Sequence, residues 1–449
     1  MYLSVAHTGM EQYKAPTASY VAGVSNYFPR TGKLRMVESA IEDRRSVVIN
    51  PFNAGITGVG ISGQYAEFRW PAGQHTFLDL SKLVLEVGGR IVKEDGSRIA
   101  ADANVGLIDG SMHTMIKSVS IFLNGQQAEM NPVYAYSSYL RLLTSMSASA
   151  VRTLGPNVNF YDHGGSIPST YTDADFGNAD ACDRSRLKAV REHGFQYEGP
   201  LLADLASLDM YLLDNVALTL RIEFMPDNYV VASSDVALSP KIKLDTCRLH
   251  LSTVKARDNA LYALNKSMTL GPLTYLFNKT LYKTFVLNKG TMQLSLDLPW
   301  GSVVPEKLYL MQVDLSAYSG NYARNPLHFG HFKLSKLLVS VNGTDVCNIS
   351  AHFPHRYADL YYKSLDALGL EKDHCLDRYS FGRGRMIAVV DLTSESTQET
   401  IAVENSGALR VHVELSSPPA ENIVFLLIGD SQGVLHLDSD RRVTVDVRA

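Results

Sequence analysis

The sequence predicts an all-β chain of two tandem eight-stranded antiparallel jelly rolls, with short helices and a long loop excursion in the first. Three observations lead there. Short segments of the 449 residues alternate apolar and polar side chains, the mark of half-buried antiparallel strands. The strand–helix rhythm of a parallel sheet is missing. A block of strand, tight turn, helix and later strand also occurs twice, in the same order.

Residues 1–33 have no periodicity and read as an extended arm. Lys14, Arg30 and Lys33 against Glu11 make it mildly basic, and it reads equally as a floppy terminus or as a strap onto a neighbouring subunit or an inner membrane. From there strands dominate. Leu83, Leu85 and Val87 alternate with Val84, Glu86 and Gly88; Val119, Ile121 and Leu123 with Ser118, Ser120 and Phe122. Leu218, Leu220, Ile222 and Phe224 repeat the pattern, as do Leu294, Leu296 and Leu298, then Val411, Val413 and Leu415. Two helices interrupt the strands, at 134–146 and 356–370. In the second, Tyr357, Leu360, Tyr361 and Leu365 recur at helical spacing, and Gly369 can end it.

Each helix follows a strand that ends in Asn-Gly, a hairpin dipeptide. The turns begin at Asn124 and Asn342, an offset of 342 − 124 = 218 residues, which sets Val119 over Leu337, Ile121 over Val339, Leu123 over Val341 and Tyr139 over Tyr357. Each half then closes with a similar strand, LTLRIEF or LRVHVEL, a Pro-containing turn and a last strand pair. A repeat this long marks duplicated domains, because solenoids repeat every ~20–50 residues. The expected organisation is therefore an arm at 1–33, a first jelly roll at 34–255 with its excursion at about 147–205, a short polar linker at 256–272, and a second jelly roll with a C-terminal tail at 273–449.

Composition narrows the class. The chain is 45% hydrophobic and 20% charged with a net charge of −4, without the basic stripe of a protein that wraps nucleic acid. Cys182, Cys247, Cys347 and Cys375 show no CxxC spacing and read as thiols of a reducing compartment. Sequons at Asn265, Asn278, Asn342 and Asn348 lack an apolar leader ahead of them, so glycosylation is not expected. No run approaches the ~18 apolar residues of a membrane span. Synthesis in the cytosol or nucleus is expected.

The second half resembles double jelly-roll capsid proteins of Polinton/Maverick-type elements and related small DNA viruses. The likeness is carried by LPWGSVVPEKLYLMQVDLSAYSGNYARNPLHFGHFKLSKLLVSVNG at 298–343 and by GALRVHVELSSPPAENIVFLLIGDSQGVLHLDSDRRVTVDV at 407–447. The first half is similar through WPAGQHTFLDLSKLVLEVGGRIV at 70–92 and IDGSMHTMIKSVSIFLNGQ at 108–126. The resemblance implies a major capsid protein of the lineage that includes virophages and adenovirus hexons. It implies homotrimeric, pseudo-hexameric capsomers that tile an icosahedral shell around a double-stranded DNA genome. Expected partners are the chain itself, neighbouring trimers, penton or minor capsid proteins, and an inner membrane or the genome at the inner face. The expected location is the virion, after assembly in the host cytoplasm or nucleus. The alternative reading is a receptor- or carbohydrate-binding β-sandwich, such as a minor capsid or spike protein.

Candidate chemistry is sparse, and neither an enzyme, a cofactor, a metal nor a small-molecule substrate is expected. Neither GxxxxGK[ST] nor HExxH occurs. Gly60-Ile61-Ser62-Gly63 falls one residue short of the nucleophile elbow. His374 and Cys375, with His352 and His355, lack zinc spacing. The acidic run with Asp173, Asp175, Asp180 and Asp183 puts Gly177 fifth and Arg184 twelfth, which no EF-hand allows; a looser calcium loop stays open, and a solvated loop is favoured. Arg383, Arg385, Arg441 and Arg442 could meet genome phosphates; pairing with acids such as Asp438 and Asp440 is favoured. The arm and the tail RRVTVDVRA are the candidate ties between capsomers.

Overall fold

A computed structural model describes residues 40–53, 58–161, 167–177, 190–269, 271–369, 375–393 and 406–446. The first half contains strands β1 (Ile41–Ile49), β2 (Tyr65–Trp70), β3 (Thr76–Val92), β4 (Val105–Leu107), β5 (Ile116–Leu123), β6 (Gln126–Asn131), β7 (Phe195–Pro200), β8 (Leu218–Phe224), β9 (Val231–Ser233) and β10 (Lys241–Ala256). Two four-stranded sheets, β1-β10-β3-β7 and β2-β8-β5-β6, face each other, and β4 pairs with β9 apart from them. The second half contains β11 (Leu273–Leu287), β12 (Gln293–Asp297), β13 (Lys307–Asp314), β14 (Leu334–Val341), β15 (Thr344–Ser350), β16 (Ile387–Asp391), β17 (Leu409–Leu415), β18 (Ile423–Leu437) and β19 (Val443–Asp446). Its sheets run β11-β18-β13-β16 and β12-β17-β14-β15, with β19 added on β18. Counting the eight sandwich strands of each half in chain order, both halves read 1-8-3-6 and 2-7-4-5. This is one jelly roll built twice.

The period-two pattern explains why these strands form. Leu218, Leu220, Ile222 and Phe224 of β8 are buried against Val119, Ile121 and Leu123 of the adjacent β5 on the same core face. Val411, Val413 and Leu415 of β17 and Leu337 and Val339 of β14 do the same in the second half. The repeated turn is alike in detail. Asn124 and Gly125 have φ of 49° and 79°, Asn342 and Gly343 52° and 80°, as a type I′ hairpin needs. Each Asn Oδ1 accepts the amide of a residue just ahead of the strand partner, Ala217 at 2.8 Å and Ala408 at 2.8 Å.

The helices are α1 (Ser111–Thr114), α2 (Tyr134–Ser145), α3 (Ala148–Thr153), α4 (Asp173–Gly177), α5 (Asp227–Val230), α6 (Asp258–Met268), α7 (Leu315–Tyr318), α8 (Ala358–Leu368) and α9 (Arg378–Phe381). Several expectations change here. The offset of 218 holds across β5–β6 and β14–β15 but not at the helices. The segment 351–357 lengthens the second copy, so α2 corresponds to α8 with Tyr134 over Ala358. Tyr139 then lies inside its helix, whereas Tyr357 is the N-cap of α8. The polar linker folds as α6, an 11-residue helix that buries only Leu261 and Met268. Leu298 leaves the strand with φ 49° and stays exposed, because a turn ends β12 at Asp297. The first half closes on β10 alone, since β9 pairs with β4. The excursion ends earlier than expected because Phe195–Pro200 is the sixth sandwich strand, on β3.

Candidate assembly surfaces

The two sandwiches meet along a seam with apolar and polar parts. The outer face of β13, β16 and β18 presents Tyr309, Met311, Val313, Ile387, Val389 and Leu426, all buried in one continuous core with the first sandwich. Against them lies α2. Tyr136 stacks on Tyr318 with ring centres 5.6 Å apart, and Tyr139 packs on Phe329 at 6.0 Å. Such aromatic pairs add to the burial of their area.

Arg141 of α2 supplies the charge. Its guanidinium donates to Asp204 at 2.6 Å, to the Leu202 carbonyl at 2.9 Å and to Thr280 of β11 at 2.8 Å. Asp204 in turn accepts the Thr280 amide at 2.8 Å and its hydroxyl at 2.7 Å. Thr280 is on the edge strand of the second sandwich, so Asp204 satisfies an edge amide that would otherwise be open. Glu129 accepts the Asp204 and Leu205 amides at 2.8 Å each. Burial, then the nearby Asp204 charge, push the Glu129 carboxyl up. Asp430, which accepts from Tyr309 at 2.8 Å, is pushed up by burial too.

Two further ties cross the seam. Residues 167–171 of the excursion strap the second sandwich: the Ile167 amide donates to Arg383 O at 3.0 Å, the Tyr171 amide to Ala323 O at 2.8 Å, and the Asn325 amide to Ser169 O at 3.0 Å. The tail returns the other way. Arg441 donates to Asp214 Oδ1 at 2.8 Å, and Asn124 donates to Arg441 O at 2.8 Å.

No protein-family model matches the chain, and no curated protein matches it. Solved structures do. A chain of the Sputnik virophage structure aligns over 100% of this chain and 94% of its own, at 12% identity and a TM-score of 0.60. The mavirus major capsid protein aligns over 99% and 96%, at 11% identity and 0.53. The Faustovirus major capsid protein aligns over 94% of each chain, at 9% identity and 0.55. The chain is a double jelly roll.

In this double jelly roll the guanidinium groups of Arg383, Arg385 and Arg441 are already engaged. Arg385 is buried and donates to Cys375 O at 3.1 Å. Arg441 ties the seam through Asp214 and not through Asp438 or Asp440. Arg383 bonds and stacks on Tyr379, its guanidinium 4.0 Å from the ring centre. Arg442 uses its backbone amide on Asp438. The tail to Asp446 pairs with β18 of its own chain and packs beside β6. Along these residues the tail is held by a ladder within its own chain. The arm at 1–33 lies outside the described residues.

The other candidates have local duties. Ile61 N and Ser62 Oγ donate to the buried Asp227 at 3.2 and 2.9 Å, which also accepts the Ile242 amide, so the Gly60–Gly63 loop is a clasp between strands. Asp173 accepts from Asn104 at 2.8 Å and Ser234 at 2.6 Å, and Asp175 from Thr172 at 2.7 Å, inside and ahead of α4. The His352 amide donates to Arg356 O, closing a turn ahead of α8. Cys247 and Cys347 are buried, and Cys375 Sγ donates to Met146 O. Burial pushes the Cys247 thiol up to about 12, which leaves it unreactive. Among the described residues no three His, Cys, Asp or Glu side chains converge as a metal site. His374, Cys182, Asp180, Asp183 and Arg184 lie outside the described residues. Sequence reasoning missed the seam residues Arg141, Asp204 and Thr280; the lone basic residue in an otherwise apolar and hydroxylated α2 was the one available signal.

Proposed function

We propose that the chain is a major capsid protein, a shell-building subunit and not an enzyme. It forms homotrimeric, pseudo-hexameric capsomers that tile an icosahedral shell around a double-stranded DNA genome. The observation that carries this reading is the internal one: two sandwiches of identical strand order, fixed to each other by a buried seam. A head-to-tail contact between like units generates a ring when the rotation closes. Two such units per chain make three chains a six-unit ring. The Sputnik, mavirus and Faustovirus likenesses support the same reading. Its partners are further copies of itself and, at the vertices, penton or minor capsid proteins; its location is the virion.

Light scattering on the purified protein tests this. The expected mass is about 150 kDa, three chains of 49.5 kDa, with shells or pseudo-hexagonal particles in negative stain. A monodisperse 49.5 kDa species at all concentrations, giving neither rings nor shells, would refute it.

A further inference from the structure

A cleft of about 510 Å³ opens where the two sandwiches meet, beside the aromatic part of the seam. That is the size of sites that take small organic molecules. The first sandwich supplies most of the wall: Gln64 and Tyr65 at the start of β2, Lys117 in β5, Arg221 and Glu223 in β8, and Tyr229 in α5. Tyr136 of α2 and Tyr318 of α7, which stack on each other across the seam, line it as well. A molecule seated here touches both sandwiches.

The buried part of the wall carries polar atoms that nothing answers. Tyr136 and Tyr229 are each 1% exposed, and neither hydroxyl has a hydrogen-bond partner. The two phenols lie near each other, and one bond between them would still leave one O–H unspent. Burial pushes both phenols up, so both keep their protons. Gln64 supplies the opposite polarity. Its Nε2 donates to Gly60 O at 2.6 Å, which fixes the amide, and its shielded Oε1 has no partner. Buried polar groups are almost always paired, so a free donor and a free acceptor on one wall point to a group that both donates and accepts. The exposed part of the wall is cationic. Among the described residues nothing pairs with the exposed Lys117 ammonium. Arg221 lies over the Tyr65 ring at 4.4 Å and gives Nη2 to Glu223 at 3.1 Å, while its Nε has no partner. Two cations against one carboxylate leave one net positive charge.

We propose that this cleft binds a small hydroxylated aromatic acid. The ring lies among the tyrosines, which favour edge and offset contacts with another arene. The ligand hydroxyl donates to Gln64 Oε1 and accepts the spare phenol O–H. The carboxylate meets Lys117 and the Arg221 Nε–H as charge-assisted bonds. Because the ligand contacts the first sandwich and Tyr318 of the second, it stabilises the folded chain by mass action. Nothing in this depends on how many chains assemble.

Titration calorimetry and thermal melting of the full chain with 6-hydroxy-2-naphthoate test it, since that probe holds a hydroxyl and a carboxylate at opposite ends of a flat ring system. One probe is expected to bind per chain and to raise the melting temperature. Removing the hydroxyl (2-naphthoate) or the charge (6-hydroxy-2-naphthamide) should weaken binding about tenfold each. Decanoate, with the charge but no ring, should bind more weakly than the hydroxy acid. Two variants assign the contacts. Lys117→Ala should weaken the hydroxy acid about tenfold and leave the amide unchanged. Tyr136→Phe with Tyr229→Phe should weaken the hydroxy acid and leave 2-naphthoate unchanged, and the unliganded variant should melt no lower than the wild type, because only unpaired hydroxyls are lost. Lys117→Ala, at an exposed position, decides the matter if the Phe variant melts early. No heat and no melting shift up to the solubility limit of the hydroxy acid would mean that the cleft holds water only. Decanoate or 2-naphthoate binding as tightly as the hydroxy acid overturns the ligand class. Binding that Lys117→Ala leaves untouched places the probe elsewhere and overturns the site.

Discussion

Arg141 neutralises Asp204 where both are shielded from water, and it does so across the boundary between the sandwiches. Deleting the guanidinium would strand a carboxylate that is 4% exposed beside Glu129. Breaking a buried pair from one side costs about 3–5 kcal/mol. Arg141→Ala is expected to lower the unfolding free energy by about that much in urea melts; a loss under about 1 kcal/mol would show the pair is spectator to the seam. Arg410→Ala, which removes an exposed pair with Asp297, should change stability by less than about 1 kcal/mol. His113 sets a pH limit. It is fully buried, 3.1 Å from the Tyr134 hydroxyl, and burial lowers its pKa to about 3. The unfolded chain takes up its proton near pH 6.5 and the folded chain does not. The contribution is thus intact above pH 6.5 and is lost as pH falls from there toward 3, by up to about 1.4 kcal/mol per unit. Melting temperature should drop between pH 7 and 5 in the wild type and drop less in His113→Asn. Equal slopes would assign the acid sensitivity to other groups.

The Asn-Gly turns make the same point twice at the level of elements. Asn124 and Asn342 both combine a left-handed backbone with a side-chain oxygen that closes onto the next strand. Replacing either by Ala strains the backbone and opens an amide, at about 1–2 kcal/mol each; replacing it by Gly removes the strain and keeps only the lost bond. Chemical melts of the four variants should rank Ala below Gly at both positions, and the reverse order would deny the backbone strain its role. These turns were legible because Asn-Gly between alternating strands has few other readings. β8 and β17 were legible because their apolar residues fall on one face without a break. β7 was hidden because FQYEGP is short and ends in Gly-Pro, which reads as loop. α6 was hidden because its stripe is only Leu261, Leu264 and Met268, set among Arg257, Asp258, Asn259, Asn265 and Lys266, whose polarity reads as a linker. The helix offset was missed because the extra residues 351–357 fall between two regions that each repeat well.

At the scale of the whole molecule the seam matters most, and little of it could be read from the chain. Arg141 lies 63 residues from Asp204 and 139 from Thr280, and no local pattern joins such positions. What was legible was the duplication, which requires two cores but does not say how they touch. The structure adds a third buried region, where Tyr275, Phe277, Met311, Val424 and Ile428 of the second sandwich belong to the same core as Tyr136, Tyr139 and Phe160 of the first. Two independent domains would melt separately and survive separation. A shared core ties their stabilities together, since either half alone exposes a contiguous apolar face that ordinary monomers hide. The full chain should therefore unfold in one calorimetric transition, with its calorimetric and van't Hoff enthalpies in agreement. A fragment cut within α6, containing residues 1–262, should bind a hydrophobic dye strongly and elute as aggregates. A fragment that elutes as a sharp monomer and melts cooperatively would mean that the sandwiches are autonomous bricks, held by the strap at 167–171 and the tail rather than by a common core.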